Sequence, residues 1–155
     1  MEFDEAFKIV IGHEGGYVND SNDPGGETKF GISKRSYPHE NIRELTLDQA
    51  KQIYLRDYWN RCQCAQLPAM IRVHVFDAAV NSGTVQASKW LQRAVRADPD
   101  GVIGAQTVMA CRMADPAVTV ARISGLRLEF MAELRNWKHH GRGWTLRIAR
   151  NLINI

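Results

Sequence analysis

A glycine-rich segment near the start of the chain concentrates side chains that could carry acid–base chemistry. The segment reads HEGGYVNDSNDPGGETKFGIS and spans residues 13 to 33. Its acidic groups, with one adjacent hydroxyl, are Glu14, Asp20, Asp23, Glu27 and Thr28. Two carboxyl groups in different surroundings can divide such work, because a desolvated one stays protonated as a general acid while a solvated one stays ionised. We therefore predict Glu14 as a general acid, with its ionised partner among the other acids of the segment.

The pattern around Glu14 supports this division. Phe3, Phe7 and Val10 recur at helical spacing and predict a helix over residues 3 to 14, with Glu14 next on the same apolar stripe. Two glycines follow Glu14 and provide a stop signal. A carboxyl group on the apolar side of a helix is partly desolvated, and the C-terminal end of the helix disfavours its negative charge. Both effects raise the pKa, so we expect Glu14 to be protonated near neutral pH.

The other acids of the segment have two interpretations. Asp20 and Asp23 are also typical turn formers, and asparagine and proline neighbours favour that simpler role. Glu27 could orient Thr28 or a water molecule, or it could be a solvated loop acid. The residues alone leave these alternatives open.

The remaining sequence predicts the elements that must position this segment. Turn residues continue to about Ser33, with a short hairpin through TKFGI. Thr46 is a suitable N-cap for LDQAKQIYLRDYWNRC, and Pro68 begins AMIRVHVFDAAVNSG, which is apolar nearly all round and therefore central. Further helices are predicted over VQASKWLQRAV, over AQTVMACRMA, from Asp115 to about Trp137, and over GWTLRIARNLI. The sequence thus predicts a mainly α protein of the α+β class.

Length and composition limit the possibilities further. At 155 residues and 45% hydrophobic content, the chain is long enough for one domain with a sizeable core. There is no run of eighteen apolar residues, and three acids precede the first lysine. We therefore expect no stable membrane insertion, no signal peptide and synthesis in the cytoplasm.

The cysteines predict neither a disulfide framework nor a metal site. Cys62 and Cys64 are too close to bridge comfortably, Cys111 is alone, and no histidine follows at zinc-finger spacing. We expect reduced, partly buried thiols, no metal and no cofactor.

The C-terminal region is rich in positive charge, although the formal net charge of the chain is only +3. Residues 122 to 150 contain these basic side chains: Arg122, Arg127, Arg135, Lys138, Arg142, Arg147 and Arg150. Such a region favours an anionic partner, which could be nucleic acid, a membrane surface or another acidic polymer.

The stretch EGGYVNDSNDPGGETKFGIS closely resembles the signature of glycoside hydrolase family 108, the phage and prophage endolysins that act as N-acetylmuramidases on bacterial peptidoglycan. The resemblance implies that Glu14 is the catalytic acid. The spacing of Glu14, Asp23 and Thr28 also looks like that of other phage lysozymes, except that Thr28 comes one residue earlier. We therefore expect Glu14, Asp23 and Thr28 as catalytic residues.

Later stretches extend the resemblance along nearly the whole chain. FDAAVNSG, DPDGVIGAQT and GRGWTLR are similar to later family elements, including a predicted peptidoglycan-binding region. The resemblance implies a lysozyme-like fold, with a cleft between a small lobe that holds the acidic loop and a larger helical lobe. We expect a single domain over residues 1–155, with the catalytic signature in 1–67 and the helical portion in 68–155.

Substrate contacts are expected on both portions. Tyr17 could stack on a sugar ring beside Asp20 and Glu27. His74, Asp77 and Asn81 form one polar seam on an otherwise apolar helix. They are either core groups satisfied by neighbouring backbone or a cleft wall that binds sugar hydroxyls.

The activity implied is hydrolysis of the β-1,4 bond between N-acetylmuramic acid and N-acetylglucosamine by a monomer that does not bind nucleic acid. A lytic transglycosylase would need only Glu14. A non-catalytic wall-binding module would use the basic helices alone, and a nucleic-acid-binding protein would show a steep salt dependence.

Overall fold

The computed structural model describes residues 2–12, 16–19 and 26–153, and this part of the chain is mainly helical with a small antiparallel sheet. Its helices are α1 Phe3–Ile11, α2 Leu47–Tyr54, α3 Ala69–Ser82, α4 Thr84–Ala94, α5 Ala105–Met113, α6 Pro116–Ala132 and α7 Trp137–Ile153. Its strands are β1 Val18–Asn19, β2 Glu27–Lys29 and β3 Ile32–Ser33. A π-helical turn, Leu55–Trp59, continues α2, and a short 3-10 helix, Cys64–Gln66, precedes α3. The predicted α+β class is confirmed.

The first helix is shorter than its periodicity predicts. A capping box between Glu2 and Glu5 begins α1, which ends at Ile11. Gly12 closes the helix with a φ of +66°, a conformation that glycine adopts at low cost. The prediction that this helix extends to Glu14 is therefore wrong, because the stop signal lies at Gly12 and not at the glycine pair that follows Glu14.

The predicted hairpin through TKFGI is confirmed. The sheet has the order β1-β2-β3, and both strand pairs are antiparallel. Phe30 and Gly31 form the turn between β2 and β3 with φ values of +51° and +75°. The Tyr54 hydroxyl donates a hydrogen bond to the Phe30 carbonyl over 3.0 Å. The hairpin is therefore fixed to α2 through its turn.

An aromatic cluster joins the front of the chain to the central helix. Phe3 and Trp59 both pack edge-on against Phe76, with ring centroids 5.9 and 5.5 Å from it. Phe7 packs against Tyr54 at 5.5 Å. Consequently α1, α2, the π-helical turn and α3 share one core, and α3 is buried around most of its circumference, as predicted.

The helix caps of the later elements follow the sequence, but one boundary does not. Thr46 forms a capping box at α2, and Asp115 accepts the Val118 N–H at the start of α6. The long helix predicted to reach about Trp137 ends at Ala132, and α7 begins at Trp137. The last helix, predicted over GWTLRIARNLI, therefore begins six residues earlier than expected and includes Gly141, where a Cβ would lie only 2.6 Å from the Trp137 ring.

The three cysteines are free thiols, and they are fully buried where partial burial was predicted. Within the described ranges, no helix combines the length and the apolar character needed to span a membrane. The same ranges contain no group of three or more His, Cys, Asp or Glu residues arranged to hold a metal ion.

Candidate active site

The sheet brings together the three predicted site residues that the structure describes near the acidic segment. In the register of β1 and β2, Val18 pairs with Thr28 and Asn19 pairs with Glu27. The Tyr17 hydroxyl donates a 2.8 Å hydrogen bond to Glu27 Oε1. This bond is the main reason that the pKa of Tyr17 is raised, since a nearby carboxylate disfavours the phenolate. Tyr17 is thus held by Glu27 with its ring partly exposed.

Thr28 is half-buried in β2, and its hydroxyl donates to the Gly26 carbonyl at 3.4 Å. Along the chain, Glu14 falls between α1 and β1, while Asp20 and Asp23 fall between β1 and β2. The predictions for Glu14, Asp20 and Asp23 lie outside the described residues.

Asp77 is the centre of a buried ion-pair network. Its side chain is 1% exposed, and its Oδ2 accepts a 2.8 Å hydrogen bond from Nη2 of Arg127, which is equally buried. Its Oδ1 accepts a 2.7 Å bond from Nε of Arg147. The prediction that Asp77 contacts sugar directly is corrected, because both carboxylate oxygens face arginines. The alternative, that neighbouring backbone groups satisfy the Asp77 carboxylate, is also wrong. The groups that bind it are arginine side chains from α6 and α7.

Arg147 connects this network to the end of α1. Its Nη2 donates to the Val10 carbonyl over 3.1 Å. That carbonyl belongs to the last turn of α1, where no intrahelical N–H is available for it. Arg147 therefore holds together α3, α7 and the helix end that leads to Glu14.

His74 lies beside this network and is 1% exposed. Burial, reinforced by the positive charge of Arg127, lowers its pKa to about 4, although Asp77 acts in the opposite direction. His74 is therefore neutral at neutral pH. Because His74 is buried, a sugar cannot reach it, and its role is structural.

Asn81 differs from its two companions because it is exposed at the C-terminal end of α3. Its Nδ2 donates to the Asp77 carbonyl at 2.7 Å, which fixes the amide plane. It borders a cavity of about 190 Å³ whose walls include Phe130 and Trp144. An amide beside aromatic rings can bind a sugar, since the rings suit the apolar face and the amide the hydroxyls.

Sequence reasoning missed the roles of Arg127 and Arg147, which it assigned to a basic surface. A signal for Arg127 was available, because it continues the helical spacing of Val120 and Ile123 on the buried side of α6. For Arg147 no comparable local signal exists, since its partners are 70 and 137 residues away along the chain.

Comparison with known proteins agrees with this architecture. The model of the family described as Glycosyl hydrolase 108 matches residues 7–83, which include the acidic segment and α3. The solved structure of SagA from Brucella abortus matches with a TM-score of 0.89 and 34% sequence identity, over 98% of this chain and 92% of that one. No curated protein gives a significant match. The chain is therefore a glycoside hydrolase and belongs to the glycosyl hydrolase 108 family.

Proposed function

We propose that this protein is an endolysin that hydrolyses the β-1,4 bond between N-acetylmuramic acid and N-acetylglucosamine in bacterial peptidoglycan. The observation that carries the proposal is the family match over residues 7–83, because this range contains every acid of the segment from Glu14 to Glu27. The structural match to SagA over nearly the whole chain supports it.

In the proposed reaction, Glu14 protonates the oxygen of the leaving sugar. Asp23 either activates a water molecule or stabilises the oxocarbenium-like transition state. The separation of the two carboxyl groups decides the stereochemistry: about 6.5 to 9.5 Å admits a water molecule and inverts the anomeric centre, while about 5 to 5.5 Å allows direct attack and retains it. Thr28, paired in β2 beside β1, is the third proposed catalytic group.

The substrate would contact the small sheet. Tyr17 offers a half-exposed ring whose hydroxyl is already fixed by Glu27, so the ring is oriented before a sugar arrives. Asp20 and Asn81 are proposed to bind sugar hydroxyls from the loop and from the end of α3. No cofactor or metal has a part in the proposed chemistry.

The proposed biological setting is lysis from inside a bacterial host. A protein made in the cytoplasm would need a membrane pore formed by a partner before it reaches the wall. It would act there as a monomer, and its excess of positive charge would favour association with an anionic wall polymer.

The first test replaces Glu14 by Gln. Loss of its proton should reduce the hydrolysis of purified walls by at least about a hundredfold, as expected for removal of a general acid. Sedimentation with walls should be unchanged, since binding does not need that proton. The matched control is Glu44→Gln, which changes an exposed glutamate outside the acidic segment. Turbidity clearing at the parental rate by Glu14→Gln would refute the assignment.

Mass spectrometry of the digested wall identifies the bond and the reaction. Hydrolysis between N-acetylmuramic acid and N-acetylglucosamine leaves a reducing N-acetylmuramic acid. A product lighter by one water would instead indicate a lytic transglycosylase, and walls that are bound but not cleaved would indicate a binding module.

A further inference from the structure

An open groove of about 320 Å³ lies between the segment that follows β3 and the helices. Its walls include Ser36, Tyr37, Asp57, Tyr58 and Arg61, together with the start of α4. We call it the Tyr37 groove. Asp57 and Tyr58 belong to the π-helical turn that interrupts the regular geometry of α2. Turns of this kind occur frequently at functional sites.

The negative charge in the Tyr37 groove is already neutralised. Arg56 binds Asp57 with two hydrogen bonds of 2.8 Å, from Nε to Oδ1 and from Nη2 to Oδ2. The Tyr37 hydroxyl donates to the same Oδ2 at 3.1 Å. Chiefly because of Arg56, the pKa of Asp57 is lowered. Asp57 is therefore ionised, and both its carboxylate oxygens accept hydrogen bonds, from Arg56 and from the Tyr37 hydroxyl.

The positive charge of Arg61 is not neutralised in this way. Arg61 is exposed on the groove wall one helical turn after Asp57. It forms no hydrogen bond or ion pair with any residue in the described ranges, although its charge adds to that of Arg56 in lowering the pKa of Asp57. Among the described residues, the groove thus presents a guanidinium without a hydrogen-bond partner beside Ser36, Tyr37 and Tyr58. Arginine in such a setting is suited to a planar carboxylate, which it can bind through two parallel hydrogen bonds.

The groove is linked to the sheet of the candidate active site through Ser33. Thr28 in β2 pairs with Ser33 in β3. The Ser33 hydroxyl lies 3.1 Å from the Ser36 hydroxyl on the groove wall. A polymer lying across the sheet at Thr28 would therefore meet the groove beyond β3.

We propose that the Tyr37 groove binds a free carboxylate of the peptide stem attached to the glycan, with Arg61 as the recognising residue. This inference rests on the proposed function, because it is peptidoglycan that carries such stems. The stems bear free carboxylates, whereas the lactyl carboxyl of the sugar is consumed in its amide bond to the stem. The groove would then select glycan that still carries its peptides.

The test compares two substrates: intact peptidoglycan, and glycan strands from which an amidase has removed the stems and whose freed lactyl carboxyls have then been converted to amides. Arg61→Ala should raise KM for the intact polymer about tenfold, as loss of one charge-assisted pair predicts, with kcat within about twofold. On stripped strands the variant should match the parent, and Arg61→Lys should recover part of the loss. Arg112→Ala on α5 is the control, because it removes the same charge from an exposed site outside the groove.

An equal rise in KM on both substrates, or an unchanged KM on intact polymer, would overturn the stem assignment. Titration calorimetry with a soluble tetrapeptide stem separates this inference from the proposed function. Binding by the parent that is lost in Arg61→Ala and with a fully amidated stem supports the groove, even if neither polymer is cleaved. A parent protein that does not bind the stem refutes it.

Discussion

At the scale of single residues, Asp77 shows how a buried carboxylate can be mistaken for a ligand of the substrate. Its polar neighbours at helical spacing, His74 and Asn81, fit a cleft wall as well as a core. The structure separates the three, because Asp77 and His74 are 0% and 1% exposed while Asn81 reaches the surface. Burial of one carboxylate with two arginines makes Asp77 the counter-charge on which the local packing depends.

Replacing Asp77 by Asn should therefore destabilise the protein and leave substrate affinity unchanged. We expect a loss of about 3 to 5 kcal/mol in the free energy of unfolding, because two guanidinium groups would lose their buried partner. Urea denaturation at neutral pH measures the loss, and Asp98→Asn, at an exposed turn, is the control. A stable variant with a higher KM would restore Asp77 to the sugar-binding set.

At the scale of elements, the hairpin of β2 and β3 is fixed by one turn. Gly31 has a φ of +75°, and a Cβ added there would lie 2.5 Å from the Tyr54 hydroxyl. The same hydroxyl bonds the Phe30 carbonyl. Gly26 also has a positive φ, of +67°, but a Cβ there would meet nothing within 4 Å. Substitutions at the two glycines can therefore be compared: one at Gly26 introduces backbone strain alone, and one at Gly31 adds a steric clash.

Gly26→Ala should cost about 1 to 2 kcal/mol of unfolding free energy, the penalty of a left-handed conformation alone. Gly31→Ala should cost at least about 1 kcal/mol more, because it also displaces the Tyr54 hydroxyl from its hydrogen bond. Tyr54→Phe removes that hydroxyl, so the double variant should lose less stability than the sum of the single variants. Strict additivity, or equal costs at the two glycines, would contradict this account of the turn.

At the scale of the whole molecule, two clusters hold the front of the chain to the helices. The aromatic cluster around Phe76 contains rings from α1, the π-helical turn and α3. The network around Asp77 joins α3, α6 and α7 to the end of α1. Both clusters contain residues from before and after position 67, so the portion with the catalytic signature and the helical portion depend on each other for burial.

The burial of His74 beside the Asp77 network makes the stability of the molecule sensitive to acid. His74 has a folded pKa of about 4, below the value of about 6.5 expected in the unfolded chain. Stability is therefore complete above pH 6.5 and is lost as the pH falls towards 4, since only the unfolded state takes up the proton. The loss by pH 4 should be about 3 kcal/mol. The groups packed around this imidazole are Arg127, which opposes its charging, and Asp77, which favours it.

Urea denaturation at pH 7, 5.5 and 4.5 would measure this dependence in the parent protein and in His74→Gln, which cannot titrate. The variant should start from a lower stability but show a shallower decline over this window. Parallel declines would mean that other groups cause the acid sensitivity.

The sequence by itself determined the local features of this protein. Caps at Thr46 and Asp115, the turn through Gly31, the buried character of α3 and the family signature are all encoded in short stretches, because each depends on neighbours within a few residues. The end of α1 is an exception, since a hydrophobic period of three or four residues does not reveal which glycine stops the helix.

Only the tertiary structure decided which charges pair and which remain free. Asp77 finds its arginines 50 and 70 residues along the chain, and these pairs depend on how α3, α6 and α7 pack. Because Arg127 and Arg147 bind the buried Asp77, the C-terminal region presents less positive charge at the surface than its composition indicated. Arg56, and not Arg61, forms the hydrogen bonds to Asp57, and Arg61 has no hydrogen bond within the part of the chain that the structure describes. This choice between two similar side chains follows from side-chain geometry and not from residue type.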